Sequence, residues 1–540
     1  MHDAVSIEPH PVNTEAPRRI RVRVKTRTLV DYGVAIASAL LLILSFPDFN
    51  LWPLAWVALT PLLVIIARRP APRRAFLLGW LAGAIFFYGS LHWLTYSMVH
   101  YGGIPQWLAY LLLLPAPLIG GLFIGVFASV LAYLIKKWGT NALFVAPLLW
   151  PSLEWARLMI IGQLWNAIGY SQAFQPVLVQ PARWGGVYLV GFLIVLANAV
   201  LALSLLKRSL RTAAVTALVV AGIFAVILLS WRSARSNPAS TSSSKTSEVA
   251  VVALQPNVPM TLVKPAEEMN ELIARHVAMS EEALARLPQD QRLRIVIWPE
   301  SPMNFTYGID LQLQQLLQRF TTTHQAALLL NSQEQAPNEG IYNSAVLVNQ
   351  EGRLIAQYDK IRLMPFGEYV PLPRWIPGAS LIGAIVGDFT PGTNYRPMTI
   401  GEVRAGVFIC IESAYPHIPR NLTREGADVL INISNDGYLG PTAVMRQHLA
   451  NAVFRAVENG RPILRVTNSG ITAYITSNGE VRDATEGFQT ATRIWSIARN
   501  ESGNTFYSRR GDLFVWSTTA LSILLFAGSF VRRTRGWHRL

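Results

Sequence analysis

Gly406-Val407-Phe408-Ile409-Cys410-Ile411-Glu412-Ser413 is an apolar run that ends at the only cysteine of a 540-residue chain. Its length and its aliphatic and aromatic content fit a buried strand, with a helix expected soon after it over Pro416–Glu425. Working outward, the same alternation fills the C-terminal half. Strands are expected at Val249–Leu254, Leu293–Trp298, Ala326–Asn331, Asn343–Val348, Leu354–Tyr358, Val403–Ile409, Asp428–Ile433, Ile463–Val466 and Thr472–Ile475, with helices at Ala266–Arg286, Ile309–Thr323 and Thr442–Asn459. Strands alternating with helices imply an α/β layer fold. Two other strands end as the first does. Pro299 stops the run Arg294–Trp298 and leaves Glu300 on its rim, and Lys360 follows Leu354–Tyr358, ahead of a Pro- and Gly-containing turn that carries Glu368.

The N-terminal half is of another kind. Hydrophobic residues make up 51% of the chain and charged residues 15%, which argues against a soluble enzyme and against disorder. Apolar stretches at Leu29–Phe46, Leu51–Ala67, Ala75–Leu94, Trp107–Ile135, Asn141–Ile161, Val187–Leu206, Ala213–Trp231 and Leu513–Val531 are each near the ~17–25 residues that span a bilayer. Pro115 and Pro117 should kink the fourth. The implied organisation is a basic tail (1–28), seven helices (29–231), a Ser- and Thr-rich linker (232–247), an α/β domain (248–512), an eighth helix (513–531) and a second basic tail (532–540). The net charge of +15 resides in clusters at Arg18–Arg27, Arg68–Arg74, Lys136–Lys137, Lys207–Arg211 and Arg532–Arg539, all on one side of an eight-span arrangement. By the positive-inside rule both termini are cytoplasmic and the α/β domain is extracytoplasmic. Outside those clusters acidic residues outnumber basic ones, so nucleic-acid binding loses its support. Glu154 and Arg157 read either as an intramembrane pair or as interfacial charges, the latter favoured. Trp52, Trp56, Trp93 and Trp107 read as interface anchors.

A lone cysteine ordinarily packs as a small hydrophobe, a Glu after a strand is ordinarily a solvated turn residue, and a loop Lys is ordinarily exposed charge. Together on one rim the three make an acyl-transfer site. The carboxylate serves as general base, the ammonium favours the thiolate and stabilises an oxyanion, and the thiol is the nucleophile. One cysteine allows no internal disulfide, and on the outer side of a membrane it leaves the thiol no internal partner. His417 and His448 lack further ligands at metal-binding spacing, and no cofactor or metal is called for. Asn435 and Asp436 either line the site or make an Asx turn.

The order Trp298-Pro299-Glu300, Tyr358-x-Lys360, Cys410-x-Glu412 resembles the carbon–nitrogen hydrolase (nitrilase) superfamily. The stretch Lys360-x-x-Leu-x-Pro-Phe-Gly-Glu-Tyr-Val-Pro371, Asn432–Gly440, Gln447-His448 with Arg455–Pro462, and Trp165–Gln172 in the membrane region narrow the resemblance to its membrane-bound branch, the bacterial apolipoprotein N-acyltransferase family. That resemblance implies an αββα four-layer sandwich joined to a multi-pass helical domain in the inner membrane, with the catalytic domain periplasmic. It implies Glu300 as general base, Lys360 as oxyanion-stabilising cation and Cys410 as nucleophile, with Glu368 and Glu412 supporting the site. The implied substrates are a phospholipid acyl donor and a diacylglyceryl-cysteine apolipoprotein acceptor, and the implied enzyme is a monomer. The sequence departs from the family pattern at Ile411, where many members carry Tyr, at Pro259–Pro265, which lacks a Trp, and at Asn435-Asp436-Gly437-Tyr438-Leu439-Gly440. Ile411, Asn435 and Tyr438 are accordingly expected to line the substrate pocket. Two rival readings are a membrane-tethered amidase acting on a small amide and a non-enzymatic transporter or scaffold.

Overall fold

The structure is a computed structural model that describes residues 18–236, 248–261, 264–288, 292–337, 340–370, 389–500 and 503–530, the side chains of 18–27 and 236 excepted. The start of the N-terminal tail, the side chains of its basic run, most of the linker, residues 262–263, Pro371 and the C-terminal basic cluster lie outside the described residues.

Among the described residues six helices are long and apolar enough to cross a membrane: Thr28–Ser45, Pro72–Leu91, Gln106–Trp138, Thr140–Ile161, Ala182–Lys207 and Leu210–Arg235. The first begins at Arg18, inside the expected tail, because no proline or glycine interrupts the helix-forming run there. The other two expected spans are shorter, Trp52–Arg68 and Leu513–Gly528. The former is broken into Trp52–Leu54, Ala55–Ala58 and Thr60–Arg68. Asn198, on the helix Ala182–Lys207, repairs the break. Its Oδ1 accepts from Leu59 N and Thr60 N, both at 2.9 Å, and its Nδ2 donates to Ala55 O at 3.0 Å. An apolar surround would otherwise leave those backbone groups unpaired. Pro115 interrupts the third long segment, dividing it into Gln106–Leu113 and Pro115–Trp138. The latter packs tightly on Pro72–Leu91 through small residues: a Cβ on Gly83 would meet Gly121 Cα at 2.8 Å.

Two expectations in this region are corrected. Glu154 and Arg157 are not interfacial charges, since both are buried. Nor do they bridge each other. Glu154 Oε1 accepts from Trp150 Nε1 (2.9 Å) and Ile168 N (2.8 Å), and Arg157 donates to Trp165 O (2.8 Å) and lies over the Phe87 ring. They brace the segment Trp165–Gln172. Trp93 is not an interface anchor either. It is buried and its Nε1 donates to Gln447 of the C-terminal domain.

Among its described residues that domain contains two six-stranded sheets. One has the order β12-β1-β2-β3-β4-β5 and the other β11-β10-β9-β8-β7-β6. The strands are β1 Val249–Gln255, β2 Leu293–Ile297, β3 Ala326–Gln335, β4 Ile341–Val348, β5 Leu354–Asp359, β6 Met398–Ile400, β7 Val403–Ile409, β8 Val429–Ser434, β9 Ile463–Thr467, β10 Ala473–Ile475, β11 Val481–Arg482 and β12 Ala491–Ile497. Alternate residues sort the layers, as the strand period of two requires. Val251, Ala253, Ile295, Ile297 and Leu329 join a core shared with Val407, Ile409 and Ile431 of the second sheet. Val252, Leu254, Val296, Leu328 and Leu330 pack under the helices Ala266–Ala285 and Leu311–His324. The result is an αββα sandwich. On the second sheet's outer side lie the helices His417–Arg424 and Val444–Asn459, and every residue of Val444–Asn459 except Met445 and Arg446 is buried. Burial on all sides follows because this helix also rests on the membrane helices.

The seam between the domains is polar and paired. Gln447 uses its full hydrogen-bonding capacity there. Its Oε1 accepts from Trp165 Nε1 (2.8 Å) and Trp93 Nε1 (3.1 Å), and its Nε2 donates to Ser90 O (3.1 Å) and Pro47 O (3.2 Å). Further along, Gly185 and Gly186 break the helix Ala182–Lys207, and Glu458 Oε1 accepts from the freed Val187 N at 2.9 Å.

Candidate active site

Three strand ends meet at the rim of the sandwich. Leaving β2, Trp298 is buried and Pro299 turns the chain so that Glu300 faces the gap between the sheets. Leaving β5, Lys360 is held by its own N–H donating to Asn343 O at 2.8 Å. Leaving β7, Cys410 has φ of +51°, in the left-handed region that a non-glycine residue seldom occupies. A short 3-10 turn, Cys410–Ala414, follows it.

Lys360 is almost fully buried between two carboxylates. Its Nζ donates to Glu368 Oε1 at 2.9 Å and to Glu300 Oε1 at 3.3 Å. Asn343 ties the same two acids together, its Nδ2 donating to Glu368 Oε1 (2.6 Å) and Glu300 Oε1 (3.0 Å). Met364 N donates to Glu368 Oε2 (2.6 Å), and Asn435 N donates to Glu300 Oε2 (3.1 Å). Burial would neutralise Lys360, but Glu300 and then Glu368 outweigh it and hold the ammonium well above its ordinary value. The thiol responds in the opposite way to expectation. Burial and Glu300 push Cys410 up to about 12, and Lys360 offsets only part of this because its own charge is answered twice over. The resting Cys410 side chain is therefore a neutral thiol.

Glu412 lies behind the site. It is completely buried, its Oε1 accepting from Ile361 N (2.7 Å) and Arg362 N (3.1 Å), its Oε2 from Ile409 N (2.7 Å) and Tyr358 Oη (2.9 Å). It joins the strand before the cysteine to the loop after the lysine. Burial raises its carboxyl to about 7, against the pull of those same N–H groups.

The N-terminal domain of apolipoprotein N-acyltransferases matches residues 38–200, and the carbon-nitrogen hydrolase domain matches residues 248–505. An apolipoprotein N-acyltransferase of Geobacter metallireducens is 32% identical over 515 residues, covering 93% of this chain and 96% of that one. Another, from Chromobacterium violaceum, is 29% identical and covers 98% of both. The chain belongs to the apolipoprotein N-acyltransferase family. It is accordingly an acyltransferase with a carbon–nitrogen hydrolase fold on a helical membrane domain. Among solved structures it is similar to a carbon-nitrogen hydrolase from Helicobacter pylori G27 (15% identity, TM-score 0.37, 52% of this chain and 94% of that one). It is also similar to an amidase from Nesterenkonia sp. (16% identity, TM-score 0.33, 47% of this chain and 91% of that one).

The three residues expected to line the substrate pocket fall differently. Ile411 is buried in the apolar core. Asn435 both borders the site and makes the Asx turn, its backbone N–H on Glu300 and its Oδ1 accepting from Gly437 N at 3.1 Å. Tyr438 is half-exposed. Burial and the charges of Glu300 and Glu368 raise its phenol to about 12, and Ser97 of the membrane domain donates to its carbonyl at 2.6 Å. His448, considered above as a metal ligand, instead donates from Nε2 to Cys410 O (2.9 Å) and sets Nδ1 against Asp436 Oδ1 (2.8 Å). Burial opposes the charge of Asp436, but Arg465 and His448 outweigh it and hold that carboxyl at about 2. Asn343 and Arg465 were missed in the sequence, and so was the grouping of Asp436 and His448 with Arg465. The available signal was polar side chains within or beside apolar strands, which has meaning only once the partner strands are known.

Proposed function

We propose that the protein moves a fatty acyl group from a membrane phospholipid to the α-amino group of a diacylglyceryl-cysteine at an apolipoprotein N-terminus, through a thioester on Cys410. Glu300 takes the Sγ proton as sulfur attacks the ester carbonyl. Lys360 and a backbone N–H after the nucleophile stabilise the oxyanion, a contribution of about 3–4 kcal/mol per donor. The carbonyl C–O bond breaks, Glu300 returns the proton to the leaving oxygen, and lysophospholipid departs. The acceptor amine then attacks the thioester and loses its proton to Glu300. The C–S bond breaks and the proton goes back to Cys410 sulfur. Glu368 and Asn343 position Lys360, and Glu412 positions the loop and the elbow on which Lys360 and Cys410 stand.

The observation that carries this reading is the buried ammonium of Lys360, shared by Glu300 and Glu368, beside the only thiol of a domain fastened to membrane helices. A fixed cation at a buried rim suits charge developing on a carbonyl oxygen. Fastening to the membrane suits substrates that arrive within the bilayer. The basic clusters favour an inner-membrane protein with this site on the periplasmic face. Intact-mass measurement after incubation with phospholipid vesicles should show one acyl adduct on Cys410, discharged by a diacylglyceryl-cysteinyl peptide. Hydrolysis of small amides with no adduct would refute the proposal in favour of an amidase.

A further inference from the structure

We infer that Arg362 binds the phosphodiester of the acyl donor, an inference that rests on the phospholipid reading above. Arg362 lies two residues beyond Lys360, and its backbone N–H is fixed by Glu412. Its side chain is exposed, yet it is not loose: the guanidinium lies over the ring of Tyr415, 5.5 Å from the centroid. Tyr415 itself follows the nucleophile turn and is buried, and its hydroxyl accepts from Gln163 Nε2 at 3.3 Å. Gln163 stands just past the end of the membrane helix Ala146–Ile161. The last residues of that helix, Met159, Ile160 and Ile161, are exposed apolar side chains. Arg362 is thus set where an apolar, lipid-facing helix end gives way to polar groups, the level at which phospholipid headgroups reside.

Its charge is unanswered among the described residues. No carboxylate among the described residues pairs with Arg362, whereas Arg74 pairs with Asp31 and Arg420 with Asp512. His417, near Tyr415, is kept neutral and adds no second positive charge, since burial, then Arg362 and Arg420, lower it to about 4. An arginine whose guanidinium rests over an aromatic ring, with no carboxylate partner among the described residues, keeps a planar fork of N–H donors that matches two oxygens of a phosphodiester. In a glycerophospholipid only the glycerol unit separates that group from the ester carbonyl. An arginine beside the loop that supplies Lys360 is therefore suitably placed to hold one while the other reacts. The acceptor, a diacylglyceryl thioether, has no phosphate. Arg362 should consequently act on the first half-reaction and leave the second alone.

The test compares R362Q and R362K in the full-length protein, reconstituted in vesicles, with two acyl donors. One is dipalmitoyl phosphatidylethanolamine and the other, without phosphate, is p-nitrophenyl palmitate. The reading is the ratio of their rates of adduct formation on Cys410. R362Q should lower that ratio by about tenfold or more, with R362K intermediate, as expected for loss of a charge-assisted bidentate contact. Discharge of preformed acyl-enzyme by a diacylglyceryl-cysteinyl peptide should keep its wild-type rate. An unchanged ratio, with both donors equally fast or equally slow, would overturn the assignment of Arg362 alone, and so would a slowed discharge. A wild-type protein that forms its adduct from the nitrophenyl ester but never from phospholipid would overturn the donor reading and this inference with it.

Discussion

Replacing Glu412 by Gln separates stability from catalysis. Above neutral pH the wild-type carboxylate is buried and mostly charged. Holding a carboxyl at about 7 against an ordinary 4.5 means that ionisation costs the folded state about 3 kcal/mol. Between those two pH values the folded protein keeps a proton that the unfolded chain releases. The stability associated with that proton is present in full below 4.5 and is lost as pH rises through 7. An amide removes the charge and recovers that cost. It also removes an acceptor. If its NH2 faces the Oε1 side, two N–H groups, Ile361 and Arg362, lose their partner; if it faces the Oε2 side, Tyr358 can turn its hydroxyl to accept and only Ile409 N is orphaned. The second choice costs about 1–3 kcal/mol, with a smaller loss where charge-assisted bonds become neutral. Gain and loss nearly cancel, so E412Q should fold with stability within about 2 kcal/mol of wild type at pH 8. The orphaned N–H, however, precedes Cys410, whose left-handed backbone needs that anchor. The rate of acyl-adduct formation should fall about a hundredfold, the scale of a reacting atom displaced by about 1 Å. Thermal unfolding in detergent and intact-mass kinetics measure the two effects on one sample. An E412Q protein that acylates at the wild-type rate, or one that fails to fold, would refute the account of Glu412 as an anchor whose charge is a burden.

Two other predictions follow from the seam and the charge pattern. Gln447→Leu strands Trp165 Nε1 and Pro47 O, while Trp93 Nε1 and Ser90 O keep each other at 2.9 Å, so docking of the domains should weaken by about 2–6 kcal/mol. Hydrogen exchange should rise around residues 46–50 and 163–168 and leave the sandwich strands β1–β4 unchanged. A reporter fused after Leu540 should be cytoplasmic and one within the linker periplasmic; the reverse result would remove the proposed site from its proposed substrates.

Much of the sandwich was legible because the centres of β1, β3, β4, β7 and β8 are buried on both faces and so carry short runs of apolar residues. Strand β12 was missed because Arg493 and Ser496 dilute an edge strand whose residues are mostly part-exposed. β6 and β11, three and two residues long, are too short to display any period. Glu300, Lys360 and Cys410 could be marked because each stands within three residues of a strand's end. Asn343 and the Asp436–His448–Arg465 group could not, since their partners come from other strands or from helix Val444–Asn459. Trp93, Glu154 and Arg157 were misread for a related reason. Hydropathy treats Trp and charge near a span end as signs of the bilayer surface, and it has no means of recording that a second domain is seated there.

The lone cysteine carries the last and most discriminating expectation. A thiol held near 12 is almost entirely protonated at neutral pH, and the thiolate is the form that oxidants and alkylating agents attack. On the proposed periplasmic face this protects a nucleophile that has no internal partner. It also means that reactivity must come from Glu300 removing the proton while substrate is bound. In the proposed mechanism Glu300 therefore acts in two opposite senses. As a charge it holds the resting thiol protonated; as a base it deprotonates that thiol during attack. E300Q separates the two. Loss of its negative charge leaves Lys360 with Glu368 as its one carboxylate partner, so the thiol becomes more acidic and iodoacetamide should alkylate Cys410 about tenfold faster at pH 8. Loss of the base should at the same time slow acylation by phospholipid by about a hundredfold or more. Both rates are read by intact mass from one preparation. If E300Q slows alkylation and acylation together, Glu300 is generating a resting thiolate, and the neutral-thiol account of the site is wrong.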